Sequence, residues 1–303
     1  MRSNVPGSVL LAASMLFCEP ALAAETVPAP AQKAAGRAAE AKEQAGDEQY
    51  RTTVVGTPEK EADPVGEYGQ PAWSTRRRFP TTRVYVLPKG GVNLDYWLVT
   101  EGGISGDSQP KYTSKLEFEF GLGARLQTDF FLRFEQDGYA GPMKLAAEEL
   151  ELRWALADWG KLPGNPALHF EYIRKHEGPP VLESKLLFGD MLSDRWFWGA
   201  NLVFERELGG KAENEYALTA GLSRVVCENF FLAGIEVKAA AADEAGERFE
   251  FEEISLLAGP SFQLRPTRVL YVDFVPLAGV RVADNETTGH YAVYLVLGLE
   301  LAE

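Results

Sequence analysis

Cysteine is nearly absent from the chain: its 303 residues include two, Cys18 and Cys227. Cys18 falls in an N-terminal segment with the marks of a cleaved leader, so the mature chain keeps one thiol and forms no internal disulfide. Cys227 reads as a small apolar residue near a turn. Long apolar runs are missing too. After the leader no stretch approaches the roughly 20 residues that a spanning helix needs, so any membrane insertion has to use strands. Basic residues are the minority, 30 Lys and Arg against 44 Asp and Glu for a net charge of −14. Phosphate backbones demand a basic face, so this balance excludes nucleic acid as a partner. Histidine is limited to His169, His176 and His290. The mature chain lacks paired His or Cys at ligand spacing, and its glycines follow turns with no phosphate-loop pattern. The sequence therefore gives no reason to assign a metal, a cofactor or a catalytic residue.

What is present begins with targeting. Arg2 precedes an apolar run from Val9 to Phe17, and the small-residue pattern Ala21-Leu22-Ala23 follows. This reads as a signal peptide over residues 1–23, cleaved after Ala23. An acylated Cys18 is disfavoured because the bulky Phe17 stands just before it. Residues 24–86 are rich in Ala, Glu, Lys, Pro and Thr. They read as a largely disordered periplasmic linker with at most a marginal helix between Ala31 and Gln49. Within it, YRTTVVGTP (Tyr50 to Pro58) has the flavour of an energy-coupling box, but receptors that use one carry about 22 strands, and a plain linker is the better reading.

From about Gly90 the texture changes to period-two alternation in segments of about ten, separated by turn residues. The expected strands are Val92–Glu101, Lys115–Gly123, Arg125–Gln136, Glu148–Ala157, Ala167–His176 and Val181–Gly189. They continue as Trp196–Glu207, Glu215–Val225, Phe230–Ala240, Glu253–Arg265, Arg268–Val280 and His290–Ala302. Connections alternate in character. EGGISGDSQPKYT, QDGYAGPMKLAA, ELGGKAEN, AADEAGER and RVADNETTG are long and polar, whereas Gly123-Ala124, the Val226 to Asn229 turn and Pro266-Thr267 are tight. DWGKLPGNP and EGPP blur this order. An even strand count with long and short connections in alternation fits an outer-membrane barrel with its N-terminus in the periplasm. The expected fold class is all-β: a closed antiparallel up-and-down transmembrane β-barrel of about 12 strands over residues 87–303.

The last expected strand sets Tyr291, Val293, Leu295, Leu297, Leu299 and Leu301 on one face and Ala292, Tyr294, Val296, Gly298, Glu300 and Ala302 on the other. Alternation alone does not say which face is inside. A basic side chain at the bilayer midplane costs about 2–4 kcal/mol, so the ionised set is expected to line the lumen. That set comprises Asp95, Glu117, Glu119, Asp129, Arg133, Glu149, Glu151, Arg153, Glu171, Lys175, Glu183, Lys185, Glu205, Glu236, Lys238, Asp273 and Glu300. Carboxylates dominate it, so an open lumen is expected to favour cations. A salt-bridged, closed interior is the competing expectation. An open sheet edge would leave unpaired groups in hydrocarbon, so the strand from Val92 should pair with the strand ending at Ala302. Arg76, Arg77 and Arg78, just before the barrel, are candidates for a plug docked on lumenal acids or for lipid-phosphate contacts.

LPKGGVNLDYWLV, KLEFEFGLGARLQTDFFLRFE, EELELRWAL and LLFGDMLSDRWFWGANLVFERE together resemble the outer-membrane barrels related to meta-pathway phenol-degradation proteins. The resemblance covers Leu87 to Glu303 and rests on strand texture. It implies a transporter or porin-like protein. The expected function is passive passage of small solutes through a monomeric barrel, with outer-membrane lipids and the barrel assembly machinery as partners. A closed structural or surface-interaction barrel is the alternative, and a lipid-modifying enzyme a distant third.

Overall fold

The computed structural model describes residues 60–104, 109–210, 212–244, 250–284 and 286–302. The expected leader, the marginal helix and the Tyr50 to Pro58 segment lie outside the described residues. Two two-residue strands, β1 (Pro64–Val65) and β2 (Gln70–Pro71), pair with each other and precede a 3-10 turn at Ala72–Thr75.

Twelve strands then close into an antiparallel barrel. They are β3 (Val92–Gly103), β4 (Lys111–Gly123), β5 (Leu126–Asp137), β6 (Lys144–Ala155), β7 (Ala167–Lys175) and β8 (Val181–Ser193). The second half holds β9 (Trp196–Glu207), β10 (Glu213–Cys227), β11 (Phe231–Glu244), β12 (Glu253–Leu264), β13 (Leu270–Ala283) and β14 (Glu286–Ala302). Every expected strand is present. The closing contact pairs β14 with β3, from His290↔Gly103 to Ala302↔Val92. Closure leaves no edge, as backbone in hydrocarbon requires.

Val92 and Ala302 mark one end of the barrel, called here the turn end because most connections there are tight. Ala124 and Arg125 join β4 to β5 at φ 52° and 60°, the doubly positive geometry of a two-residue hairpin turn. The opposite, loop end departs from expectation because its strands run on into segments read as loops. RVADNETTG is mostly ladder, with pairing continuing to Ala283↔Glu286. Thr287 and Thr288 are β-branched, and Val282 lies across from Thr287, so the local preference for strand outweighs the polar composition.

Burial fixes the orientation that alternation left open. Leu122, Leu150, Leu152, Phe170, Leu202, Leu218, Ile235 and Leu256 are exposed, while Asp95, Glu117, Asp129, Glu151, Glu236 and Asp273 are buried. The apolar wall faces outward and the ionised groups face the axis.

The disordered linker expected through residue 86 is corrected from Lys60 onward. Residues 60–91 fold into the turn-end half of the lumen. Trp73, Phe79, Tyr85 and Val86 are buried there in one cluster with Ala155, Ala167, Leu187, Phe197, Val225 and Leu232 of the wall. Trp73 stacks on Phe197 at 4.6 Å between ring centroids, and Trp159 closes over Tyr85 edge-on at 5.2 Å. Wall and segment fit because Gly189, Gly199 and Gly221 stand abreast on β8, β9 and β10. A Cβ at Gly189 would lie 2.2 Å from Val84 Cγ1, and one at Gly221 would lie 2.4 Å from Phe79 Cδ1. The three glycines thus form a trough that receives Val84 and Phe79.

Candidate functional site in the lumen

The barrel register creates an unbroken row of acids. Glu119 lies directly across from Asp129, Asp129 from Glu151, Glu151 from Glu171, Glu171 from Glu183, Glu183 from Glu205, and Glu205 from Glu215. β4 to β10 each supply one carboxylate. Strands tilt in a closed barrel, so the row climbs: it leaves β14 at Glu300 through Asn93, and beyond Glu215 passes Ala242, Glu253 and Ala283 to regain β14 at Glu286. The staircase therefore runs from the turn end to the loop end in one circuit. Like charges directly opposite one another destabilise a sheet, and this row demands counter-cations.

Some of those cations come from the wall. Arg153 bridges Asp129, at 3.1 Å, and Glu151. His169 sits buried between strands with Nδ1 3.0 Å from Glu151 and Nε2 2.9 Å from Glu183 and 3.3 Å from Glu171. Both ring nitrogens meet carboxylates, so the geometry suits an imidazolium. Lys185 reaches Glu183 at 2.5 Å, and Lys238 reaches Glu215 at 3.6 Å. Beside the row, Arg133 and Lys115 pair with Glu149. Lys175 pairs with Glu207 at 2.9 Å nearer the loop end.

The rest come from the N-terminal segment. Arg77 donates to both oxygens of Glu117 at 2.7 and 2.9 Å and lies 3.6 Å from Asp95 and 3.7 Å from Glu119. Arg83 enters the same pocket and contacts Glu117, Glu119 and Asp129. Trp97 donates to Glu117 at 2.8 Å, and Arg77 stacks over its ring. Tyr271 donates to Asp95 at 2.6 Å. Arg76 joins Glu61 at 2.6 Å and Glu300 at 3.3 Å, with Arg265 completing the group at 2.8 Å from Glu61. Arg78 donates to Ser223 and Ser261 at 2.8 and 3.0 Å and stands 3.9 Å from Asp273, which accepts from Gln263. Glu236 accepts from the Thr81 hydroxyl and from Ser261. Burial alone would raise the Glu61 carboxyl, but Arg76 and Arg265 outweigh it and hold the group below the usual glutamate range.

Of the seventeen charges expected to face the lumen, twelve are buried, and Arg133, Lys175, Lys185, Glu205 and Lys238 are half-buried; the Arg76 to Arg78 triplet sits among lumenal acids with little exposure. Sequence reasoning did not find Glu61, Arg83, Arg265, Asn201, Gln127 or the central place of His169. A signal existed in residues 73–87, where Trp73, Phe79, Val84, Tyr85, Val86 and Leu87 are too densely apolar for a solvated linker. Among the described residues three donor sets each bring their ligand atoms within 4.8 Å of one another: Glu151, His169 and Glu171; Asp95, Glu117 and Glu119; and Glu117, Asp129 and Glu151. Guanidinium groups of Arg77, Arg83 and Arg153 occupy the second and third. His176 pairs with Glu148 at 3.1 Å, and His290 lines the loop-end vestibule.

That vestibule is a cavity of about 570 Å³ walled by Glu101, Lys111, Glu215, Lys238, Glu253 and Arg281 among others. A second cavity of about 210 Å³ shares Glu215, Lys238 and Tyr294 with it and reaches down the acid row to Arg77, Pro80, Thr81 and Arg83. The open space thus descends from the loop end to a floor made by the N-terminal segment.

No protein-family profile matches the chain, and no curated protein matches it. Solved structures do. An outer membrane channel from Pseudomonas putida F1 is similar at 11% identity, over 71% of this chain and 97% of that one, with a TM-score of 0.51. The NanC porin is similar at 9% identity over 69% of this chain and 100% of its own, with a TM-score of 0.49. The likeness to the Pseudomonas channel is one of fold, and this chain's fold is a closed antiparallel barrel. The link to phenol-degradation proteins gains no support from these comparisons.

Proposed function

We propose that the chain is an outer-membrane channel of porin type whose passage is closed at the turn end by its own residues 60–91 and prefers cations when open. The observation that carries this reading is the descending cavity: a lumen entered from the loop end, lined by the acid row, and stopped by Arg77, Pro80, Thr81 and Arg83. Short turns of outer-membrane barrels face the periplasm, which puts the closing segment on that side and the vestibule outside. The apolar outer wall meets lipid, insertion falls to the barrel assembly machinery, and one copy suffices because each lumen is complete in itself. Small polar or cationic solutes are the cargo, and no step of chemistry is needed.

The close packing of Trp73 and Phe79 against the wall favours the second reading, a permanently sealed structural barrel. One pair of residues separates the two. The Thr82 and Thr219 hydroxyls lie 3.0 Å apart, on the segment and on β10. In a C227S background, T82C/T219C locks the segment to the wall when oxidised and frees it when reduced. Planar-bilayer recordings should show discrete, cation-selective openings of the reduced protein that vanish on oxidation. Silence in both redox states would refute the channel and leave the sealed barrel.

A further inference from the structure

The wall grips residues 75–87 by their backbone as well as by their side chains. Asn93 donates to the Thr75 carbonyl at 2.9 Å, and Gln263 donates to the Arg77 carbonyl at 2.9 Å. Glu236 accepts the Thr81 N–H at 2.9 Å. Asn201 takes Arg83 from both sides, its Oδ1 accepting the N–H at 2.8 Å while its Nδ2 donates to the carbonyl at 2.6 Å. Arg153 donates to the Tyr85 carbonyl at 2.9 Å, and Gln127 accepts the Leu87 N–H at 2.6 Å. These six side chains come from β3, β12, β11, β9, β6 and β5 and surround the lumen. All of them are buried.

Two features follow from this arrangement. Residues 83–88 belong to no sheet, so the segment can leave without breaking a single ladder bond of the barrel. Contacts to peptide N–H and C=O groups are also indifferent to side-chain identity, which is how strand-accepting grooves obtain affinity. Selectivity then falls to two further elements. The glycine trough admits apolar side chains pointing one way, and the Asp95, Glu117 and Glu119 pocket admits guanidinium groups pointing the other. A site for a compact solute converges its polar groups on one spot. Here they are strung along about a dozen residues of chain, on both sides of the turn that the Thr82 N–H closes onto the Phe79 carbonyl.

Resting on the channel reading, we infer that the lumen is a binding groove for basic polypeptides, that residues 75–87 are its resident occupant, and that a peptide of the same chemistry arriving through the vestibule competes for the seat. The acid row from Glu151 to Glu215 lines the approach to that seat, so a basic chain meets complementary charge before it reaches the floor. Tethering gives the resident segment an effective concentration of about millimolar, so a free peptide gains access only when the resident grip is weakened.

The test uses the full chain in detergent and a fluorescein-labelled synthetic peptide with the sequence of residues 75–87, TRRRFPTTRVYVL, followed by fluorescence anisotropy. A second peptide carries serine in place of its four arginines. R77S/R83S weakens the resident grip through charge, and Phe79→Ala weakens it through the glycine trough with every ion pair intact, and neither alters the wall that the added peptide meets. Migration on unheated gels confirms that each variant is a folded barrel. Both variants should bind the basic peptide at least tenfold more tightly than the unsubstituted chain does. The arginine-free peptide should bind at least tenfold more weakly than the basic one, and oxidised T82C/T219C should bind neither. Equal affinity of unsubstituted and weakened chains, equal affinity of the two peptides, undiminished binding to the oxidised lock, or no binding at all would each overturn the inference. Openings of the reduced lock alongside indifference to peptide would refute the peptide groove alone. Peptide binding without conductance in either redox state would refute the channel and keep the groove.

Discussion

Replacing Gly221 with valine should evict the N-terminal segment while leaving the barrel intact, and the structure gives the size of the effect. A Cβ on Gly221 would fall 2.4, 2.7 and 2.8 Å from three ring atoms of Phe79, and valine adds two methyl groups beyond it. The ring has little room to retreat, because it is fully buried, with Trp73 edge-on at 6.4 Å and the Arg78 guanidinium at 5.1 Å. Overpacking of this kind costs about 1–3 kcal/mol. On the barrel side the sign reverses, since glycine inside a strand is less favourable than alanine by roughly 0.5–1 kcal/mol and valine suits a strand. The penalty therefore falls on the seated state alone. At about 1.4 kcal/mol per tenfold, the unseated population should rise roughly five- to 150-fold. Two measurements check this: open probability in bilayers, and the rate at which T82C/T219C oxidises to the locked form, which should fall with occupancy of the seat. A G221V protein with unchanged oxidation rate and unchanged openings would refute the trough as the determinant of seating.

Neutralising Glu117 and Glu119 together removes both partners that Arg77 and Arg83 share. Leaving a buried charge without its partner costs about 3–5 kcal/mol, so E117Q/E119Q should open more often than the unsubstituted chain as well as lose some cation preference, and a change in reversal potential at constant open probability would refute that coupling. Acid should act through Glu61. Its carboxyl is held below the ordinary range by Arg76 and Arg265 against the opposing effect of burial, so its contribution to seating is complete above the unfolded value of about 4.3 and fades as pH falls through the depressed folded value. Openings should therefore begin to increase as pH falls below the unfolded value of about 4.3, and Glu61→Gln should flatten that response; an identical acid profile in E61Q would refute it.

Fold and wall were legible because period-two alternation is a direct image of a strand with two unlike solvents. Tyr291 to Leu301 could be sorted into two faces from letters alone, and the cost of charge in hydrocarbon then gave the expected lumenal side. Three things were not legible. The acid row depends on the register of each hairpin: Glu171 and Glu183 are neighbours because β7 and β8 pair from Ile173↔Val181 onward, and nothing near either residue states that register. The loop-end strands outran their expected limits because Thr287 and Thr288 look polar in a list but suit a ladder. Residues 60–91 misled most, since they form almost no regular structure and their folded state is borrowed from the wall through Asn201, Gln127 and Gln263. A segment stabilised by side chains it meets only after closure leaves little periodicity to detect. Its one local mark is the density of apolar groups between Trp73 and Leu87.

Wall and segment also explain each other electrostatically. A row of opposed carboxylates across seven strands would repel itself in any dry lumen, and the wall's own Arg153, His169, Lys185 and Lys238 serve its middle and upper steps. The lowest steps, together with Asp95 and Glu117, take their cations from Arg77 and Arg83. When those guanidinium groups leave, the acids stay behind and need water or mobile cations in their place, because burial without either costs several kcal/mol per ion. Withdrawal and hydration of the turn end are therefore one event. The act that removes the obstruction also charges the constriction, so cation preference should be strongest at the point the segment has just vacated, where the Asp95, Glu117, Glu119 and Asp129 carboxylates converge.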